Sequence, residues 1–308
     1  MSISSKTKPV VLVFGPTGVG KTRFLIDQAS VFGEVITVDS VQVYRRLDIG
    51  SAKPSLEERS AIPHHLLDII DPSESFDVGA FLAHAERVIP NIHRRGKIPI
   101  LCGGTAFYFW NFIYGLPQTP ASDPEIRQQA EKDLALWGFV GLKERYTILD
   151  PVTAQRLGAQ DVYRWTRAWE VFLQTGKPLS AFARHQQPRS DYQLEIFSLE
   201  RPKEELSRRL DERIDQMLAE GLLDEIRGLL GDGYSEKDPG LRAIGYSEFL
   251  PWLVHGQGSR DEAIQALRWH SRQYAKRQRT FFRRIEGARV VNPDFPEPFL
   301  ELWRQLTS

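Results

Sequence analysis

Val10-Val11-Leu12-Val13-Phe14 is apolar without interruption and halts at Gly15, the pattern of a strand buried on both faces of a parallel sheet. The spacing then predicts a helix from Lys21 to about Val31, a second strand over Glu34 to Val38, and a helix from Val78 to Arg95. A third strand follows over Ile98 to Leu101 and ends at Gly103-Gly104. Strands alternating with helices imply βαβ units and a parallel sheet flanked by helices. After Gly115 the pattern changes, because Leu116-Pro117-Gln118-Thr119-Pro120 is a cluster of breakers and the stretch to about Leu179 is helical without strand candidates. Residues 117–189 are therefore expected to form an inserted helical subdomain within a core built from 1–116 and 190–308. Tyr192 to Leu199 alternates and returns the chain to the sheet, and helices are expected over Lys203–Leu218, Leu241–His255 and Asp261–Ile285.

Composition narrows the class. With 308 residues and 41% hydrophobic content the chain can bury a sizeable core. Forty basic residues balance forty acidic ones, so any affinity for nucleic acid has to come from charge segregated on the surface. The single cysteine, Cys102, excludes a disulfide framework within the chain and a cysteine zinc site. No apolar run approaches the roughly 18 residues that span a bilayer. The first six residues, Met1 to Lys6, have no apolar segment of signal length, so a cytoplasmic protein without a membrane partner is expected.

Gly15-Pro16-Thr17-Gly18-Val19-Gly20-Lys21-Thr22 matches G-x-x-x-x-G-K-[ST], with a strand before it and a helix after it. Glycines at 15, 18 and 20 permit backbone angles closed to other residues, so successive N–H groups converge on phosphate oxygens. The helix dipole and Lys21 add positive charge, and the Thr22 hydroxyl can ligate Mg²⁺. The expected fold class is thus α/β, a P-loop NTPase-like parallel sheet flanked by helices with a helical insertion. Such a cradle recognises phosphate and does not distinguish ATP, GTP or another pyrophosphate. The third strand ends in Cys102-Gly103-Gly104-Thr105 without the acid that a nucleoside triphosphatase usually offers to Mg²⁺, which weakens that reading.

Asp39 follows the second strand directly, at the carboxyl edge where open α/β sheets bind ligands; it could equally cap a turn or bind Mg²⁺. Thr105 either caps the next helix or presents its hydroxyl to a ligand. Between Glu262 and Glu286 there is no acid, while Arg268, Arg272, Lys276, Arg277, Arg279, Arg283 and Arg284 accumulate among aromatic residues. That stretch is a phosphate-contacting surface or a solvated basic face.

Asp39-Ser40-Val41-Gln42-Val43-Tyr44 and Asp48-Ile49-Gly50-Ser51-Ala52-Lys53-Pro54 resemble the D-S-x-Q-x-Y and D-I-G-T-A-K-P segments of tRNA dimethylallyltransferases, also called tRNA isopentenyltransferases. The resemblance runs along most of the chain. It includes Gly103-Gly104-Thr105-Ala106-Phe107-Tyr108, Thr175-Gly176-Lys177-Pro178-Leu179-Ser180, Arg209 and Arg213, Ala243-Ile244-Gly245-Tyr246, and Tyr274-Ala275-Lys276-Arg277-Gln278. It implies transfer of a dimethylallyl group from dimethylallyl pyrophosphate to N6 of an adenosine beside the anticodon. On this resemblance Asp39 is the general base, and the P-loop, Mg²⁺ on Thr22, Arg209 and Arg213 hold the leaving pyrophosphate. Thr105 touches the bridging oxygen or the adenosine.

The target base has to leave its stack to reach a buried allylic carbon. The resemblance brings Asp39, Ser40, Val41, Gln42, Thr105, Gly245, Tyr246 and Gln278 against the tRNA anticodon arm, while Ser40 and Gln42 could instead bond within their turn. Arg127, Arg164, Arg167, Arg242, Lys276, Arg277, Arg279 and Arg283 are the expected backbone contacts, on a protein expected to act as a monomer. Two departures lie in the insertion, where Leu157-Gly158-Ala159-Gln160-Asp161 replaces the usual I-H-P-N-D and Trp169 replaces a Leu. Phe281 stands where Trp is usual. The competing expectations are an adenylate isopentenyltransferase acting on free nucleotide, and a P-loop NTPase or RNA-binding protein without prenyl transfer.

Overall fold

In the computed structural model, which describes residues 7–182 and 187–307, the carboxyl ends of the central strands are level with one another. The Met1–Lys6 stretch considered above lies outside the described residues. The chain opens with β1 (Pro9–Phe14), α1 (Lys21–Ala29), β2 (Gly33–Val38), α2 (Leu56–Ala61), β3 (His64–His65), α3 (Val78–Arg94), β4 (Ile98–Gly103) and α4 (Ala106–Tyr114). The insertion contributes α5 (Pro124–Leu149), α6 (Pro151–Ala154) and α7 (Val162–Thr175). The core resumes with β5 (Gln193–Leu199), α8 (Lys203–Ala219), α9 (Leu222–Gly231), α10 (Leu250–His255), α11 (Arg260–Phe282), β6 (Arg289–Val291) and α12 (Glu297–Thr307).

All six strands are parallel, in the order β3-β2-β4-β1-β5-β6. β1, β2 and β4 are buried along nearly their whole length, as their unbroken apolar runs require. Register aligns Phe14 with Gly103 and Gly103 with Val38, so the P-loop, Asp39 and Gly104-Thr105 leave the sheet at one edge. Gly103 is obligatory there, because a Cβ would sit 2.0 Å from the Val38 carbonyl oxygen. Phe14 stacks on Phe282 of α11 at 4.4 Å, which ties the C-terminal helices to the central strand.

The expected helix over Leu241–His255 does not form as one element. Pro239–Arg242 makes a short 3₁₀ turn, Gly245 takes φ 106°, and α10 begins only at Leu250. Residues 33 and 102–103 extend the predicted strands, whereas β3, β6, α2, α9 and α12 went unpredicted, the first three being at most six residues long.

The chain divides into two compact units, Ile113–Arg189 and the remainder. Within the smaller, the Arg189 N–H donates to the Ile113 carbonyl at 2.8 Å and closes its base. Gly138, at φ 66° and ψ 170°, breaks α5 into two segments. Leu142, Tyr146, Trp165 and Trp169 form its apolar centre. Trp169 is accommodated because its indole N–H donates to Asp133 on α5 at 2.8 Å. Asp161 caps α7 by accepting from the Arg164 N–H, as its position at the helix entrance requires.

Candidate active site

The ends of β1, β2 and β4 open into a cavity of 1440 Å³ whose floor carries the P-loop, Asp39 and Gly104. Gly18 and Gly20 have positive φ, and Gly20 is the left-handed residue from which α1 starts. Gly15 is required for a different reason than expected, since its φ is not positive: a Cβ would lie 2.6 Å from the Leu199 carbonyl oxygen. Val19 is wholly buried and anchors the loop in the core. Lys21 Nζ donates to the carbonyls of Gly15 and Pro16 at 3.0 and 3.1 Å, so the ammonium lies across the mouth of the loop. Enclosure lowers its pKa to about 8, with the neighbouring Arg213 adding to the fall and Cys102 and Asp39 opposing it.

α8 supplies both of the expected arginines, one turn apart on the same face. Arg209 Nε donates to the Gly18 carbonyl at 2.9 Å, and Arg213 donates to Thr17 Oγ1 at 3.1 Å. Burial lowers the Arg213 pKa, and the Asp39 and Glu58 carboxylates work against that. Thr22 lines the same cavity.

At the end of β2, Asp39 Oδ1 accepts from the N–H groups of Val41 and Gln42 at 2.9 and 3.2 Å. Enclosure raises its pKa despite those donors and the charges of Lys21 and Arg213. Asp39 therefore both closes its turn and faces the cavity. The Thr105 hydroxyl accepts from the Ser40 N–H at 3.1 Å, so it joins the ends of β2 and β4. Gln42 donates its amide to the carbonyls of Ser51 and Ala52 at 3.1 and 3.0 Å, which fixes the loop 48–53.

Several expected tRNA contacts are placed elsewhere. Gln278 is 3% exposed; its Oε1 accepts from the Thr17 N–H at 2.9 Å and its Nε2 donates to the Gly104 carbonyl at 2.7 Å. It is a clamp between the P-loop and β4. Tyr246 is fully buried, with its hydroxyl donating to Glu225 at 2.7 Å, and so cannot meet a polynucleotide. Gly245 abuts the Gly50 carbonyl and donates its N–H to Glu248 at 2.9 Å, which leaves only its wall of the cavity to a ligand. Arg167 is held inside the insertion by Glu170 and the Pro120 carbonyl. Arg164 is exposed beside Asp161, and Arg127 is exposed beside Glu131.

The basic stretch of α11 divides in two. Arg268 and Arg272 pair with Asp211 and Asp215 of α8, which the sequence pattern did not reveal. Lys276, Arg277 and Arg283 are exposed, Arg279 is half-buried, and Arg242 is exposed on its own turn.

Tyr274 and Cys102 line the cavity without having been named as site residues. The Tyr274 hydroxyl meets Thr105 and Gln278, and enclosure together with Asp39 pushes its pKa to about 12. Its place one turn before Gln278 on α11 was the available signal. Burial likewise pushes the Cys102 thiol up to about 12, so it is neutral.

Comparison with known proteins agrees with this geometry. The family described as IPP transferase matches residues 42–285, and that described as isopentenyl transferase matches residues 8–69. A tRNA dimethylallyltransferase from Geobacter metallireducens is 43% identical over 301 residues, covering 97% of this chain and 96% of the relative. One from Syntrophobacter fumaroxidans is 45% identical over 278 residues, covering 89% and 81%. The crystal structure of the full-length tRNA isopentenylpyrophosphate transferase from Bacillus halodurans superposes with a TM-score of 0.71 at 36% identity, covering 98% of this chain and 96% of that one. A eukaryotic dimethylallyltransferase, solved acting on tRNA, gives 0.76 at 32% identity over 89% of this chain and 70% of that one.

Proposed function

The chain belongs to the tRNA dimethylallyltransferase family, and from that premise we propose that its cavity transfers the dimethylallyl group of dimethylallyl pyrophosphate to N6 of an adenosine next to the anticodon, releasing pyrophosphate. The observation that carries this reading is the meeting of Asp39, Lys21 and Arg213 around one cavity at the strand ends, with the Thr105 hydroxyl bonded to the N–H of Ser40 in its wall. The pyrophosphate lies on the P-loop amides, with Lys21, Arg209 and Arg213 placed to stabilise charge as the allylic carbon–oxygen bond breaks. Adenine N6 is a weak nucleophile because its lone pair is delocalised into the ring. Its attack on the allylic carbon becomes favourable as a carboxylate removes its proton. Asp39 fits that task, since Oδ1 is held by two backbone N–H groups and Oδ2 is left to the substrate. Its raised pKa makes it a better base than an ordinary carboxylate. The Thr105 hydroxyl accepts from the Ser40 N–H, which leaves its own proton to be donated towards the reacting centre.

Among the described residues no group of three or more His, Cys, Asp or Glu side chains could hold a metal. A metal would therefore arrive on the pyrophosphate, and the oxygen-only chemistry of Thr22 suits Mg²⁺, which keeps most of its shell as substrate oxygens and water. Bound there, Mg²⁺ would neutralise leaving-group charge. The insertion, through Arg127 and Arg164, and the exposed Lys276, Arg277 and Arg283 are assigned to the tRNA backbone. No helix among the described residues is long and apolar enough to cross a membrane. A monomer working in the cytoplasm, where tRNA is available, completes the proposal.

Incubation with dimethylallyl pyrophosphate and either bulk tRNA or AMP tests it. Prenylated tRNA detected by mass spectrometry is the expected product. Product from AMP alone, or steady ATP hydrolysis with no change in tRNA mass, would overturn the reading.

A further inference from the structure

Thr37 is the fifth residue of β2 and is 4% exposed, yet its hydroxyl has no hydrogen-bond partner among the described residues. In register it lies beside Cys102 of β4, which in turn lies beside Val13 of β1, so its nearest neighbours in the row are apolar. Side chains alternate along a strand, so Thr37 faces the same way as Asp39, one layer deeper by about 6.6 Å along the strand. Thr22, Thr37, Cys102 and Asp39 all line the one cavity. A buried hydroxyl without a partner disfavours folding, and valine would fill the same space without that penalty. Cys102 is no substitute partner, being a neutral thiol and a weak donor.

Thr37 thus lines the site on the same face as Asp39, one layer beneath that carboxylate, with a buried hydroxyl that has no partner among the described residues. We propose that Thr37 is a positioning residue for the metal: its hydroxyl holds a water of the Mg²⁺ shell, while the ion rides on pyrophosphate and Thr22. This rests on the pyrophosphate reading of the cavity. Mg²⁺ gives up its water reluctantly, so a fixed polar group at the depth of those waters orients the ion without ligating it.

Titration calorimetry with inorganic pyrophosphate, with Mg²⁺ and with EDTA, tests the inference on the whole chain without turnover. Thr37→Val should weaken binding about threefold to tenfold in Mg²⁺, the effect of one hydrogen bond, and leave metal-free binding unchanged. Thr37→Ser should bind as the wild type, and Thr37→Val should melt at or above the wild-type temperature. Should valine fail to pack, Thr37→Ala measures the same loss. Equal binding of Mg²⁺-pyrophosphate by wild type and the hydroxyl-free variants would overturn the proposal. So would a loss of the same size with and without the metal, because the hydroxyl would then act on the phosphate or on the fold. If the wild type binds no pyrophosphate at all, the reading of the cavity fails instead.

Discussion

At the ends of β1, β2 and β4, charged groups are enclosed but face open volume, whereas in the insertion the buried carboxylates are closed over by donors. Asp39 and Lys21 carry pKa values displaced towards neutrality, the state that enclosure favours. In the insertion Asp150 accepts from the N–H groups of Thr153 and Ser180, each at 2.9 Å, and from the Tyr146 hydroxyl at 3.3 Å. Asp133 accepts from Trp169 and Gln129, and Glu170 from Ser122 and Arg167. Asp150 is more hidden from solvent than Asp39, yet its pKa falls to about 2, because the donors on Thr153 and Ser180 outweigh desolvation. The difference separates groups held for chemistry from groups that hold a fold. Burial alone does not distinguish them: Asp150 and Asp133 accept on both carboxylate oxygens, whereas the bonds to Asp39 from Val41 and Gln42 both fall on Oδ1.

The sharpest break of that comparison is Asp39→Asn, which keeps the acceptor for Val41 and Gln42 but removes the base. Transfer should fall by about 10²- to 10⁴-fold, measured as prenylated tRNA per unit time. Melting at pH 7 should be unchanged or higher, since a carboxylate whose folded pKa is raised destabilises the fold when ionised. That thermal gain should shrink as pH is lowered through the folded-state pKa, and a strongly destabilised variant would place Asp39 with the structural acids. Lys21→Ala should cost about 10²- to 10³-fold in transfer, as loss of one preorganised charge at a leaving group does, with tRNA binding retained.

The insertion should answer in stability and not in rate at saturating tRNA. Asp150→Ala is expected to destabilise by about 2 kcal/mol at pH 7, from the depressed pKa. The folded pKa lies below the unfolded one, so this contribution is present above about pH 4 and is lost as pH falls towards about 2. Denaturant melts of wild type and variant should converge over that interval. Trp169→Leu, which installs the more usual residue, should cost about 1–3 kcal/mol by removing the indole donor from Asp133. The smallest effect is expected from Arg277→Ala, a few-fold loss in tRNA affinity with the salt slope reduced by about 1. An unchanged slope would mean that Arg277 does not contact phosphate.

Much of the site was legible because its chemistry is local. Gly20, Lys21 and Thr22 form a cradle through the torsions and helix start of eight consecutive residues, and Asp39 is placed by the strand immediately before it. An uninterrupted apolar run sufficed to identify β1 and its neighbours as buried parallel strands. Arg209 and Arg213 were named through resemblance, and their grip on the P-loop depends on α8 packing Leu206 and Leu210 beside Gly18.

What the sequence could not determine depends on partners distant along the chain. Arg268 and Arg272 look like free cations until α8 brings Asp211 and Asp215 against them, more than fifty residues away. Gln278 and Tyr246 sit within motifs that suggested RNA contact, but packing turned one into a clamp on Thr17 and Gly104 and buried the other on Glu225. Thr37 is an unremarkable strand residue in the sequence, and only its register beside Cys102 shows a hydroxyl with no partner among the described residues. Short-range stereochemistry is written in spacing and torsional preference, so the sequence by itself determined the strands, the cradle and the placement of Asp39. Which polar groups are paired and which are left to a ligand was decided by tertiary structure, because desolvation and hydrogen bonding are settled only when distant surfaces meet.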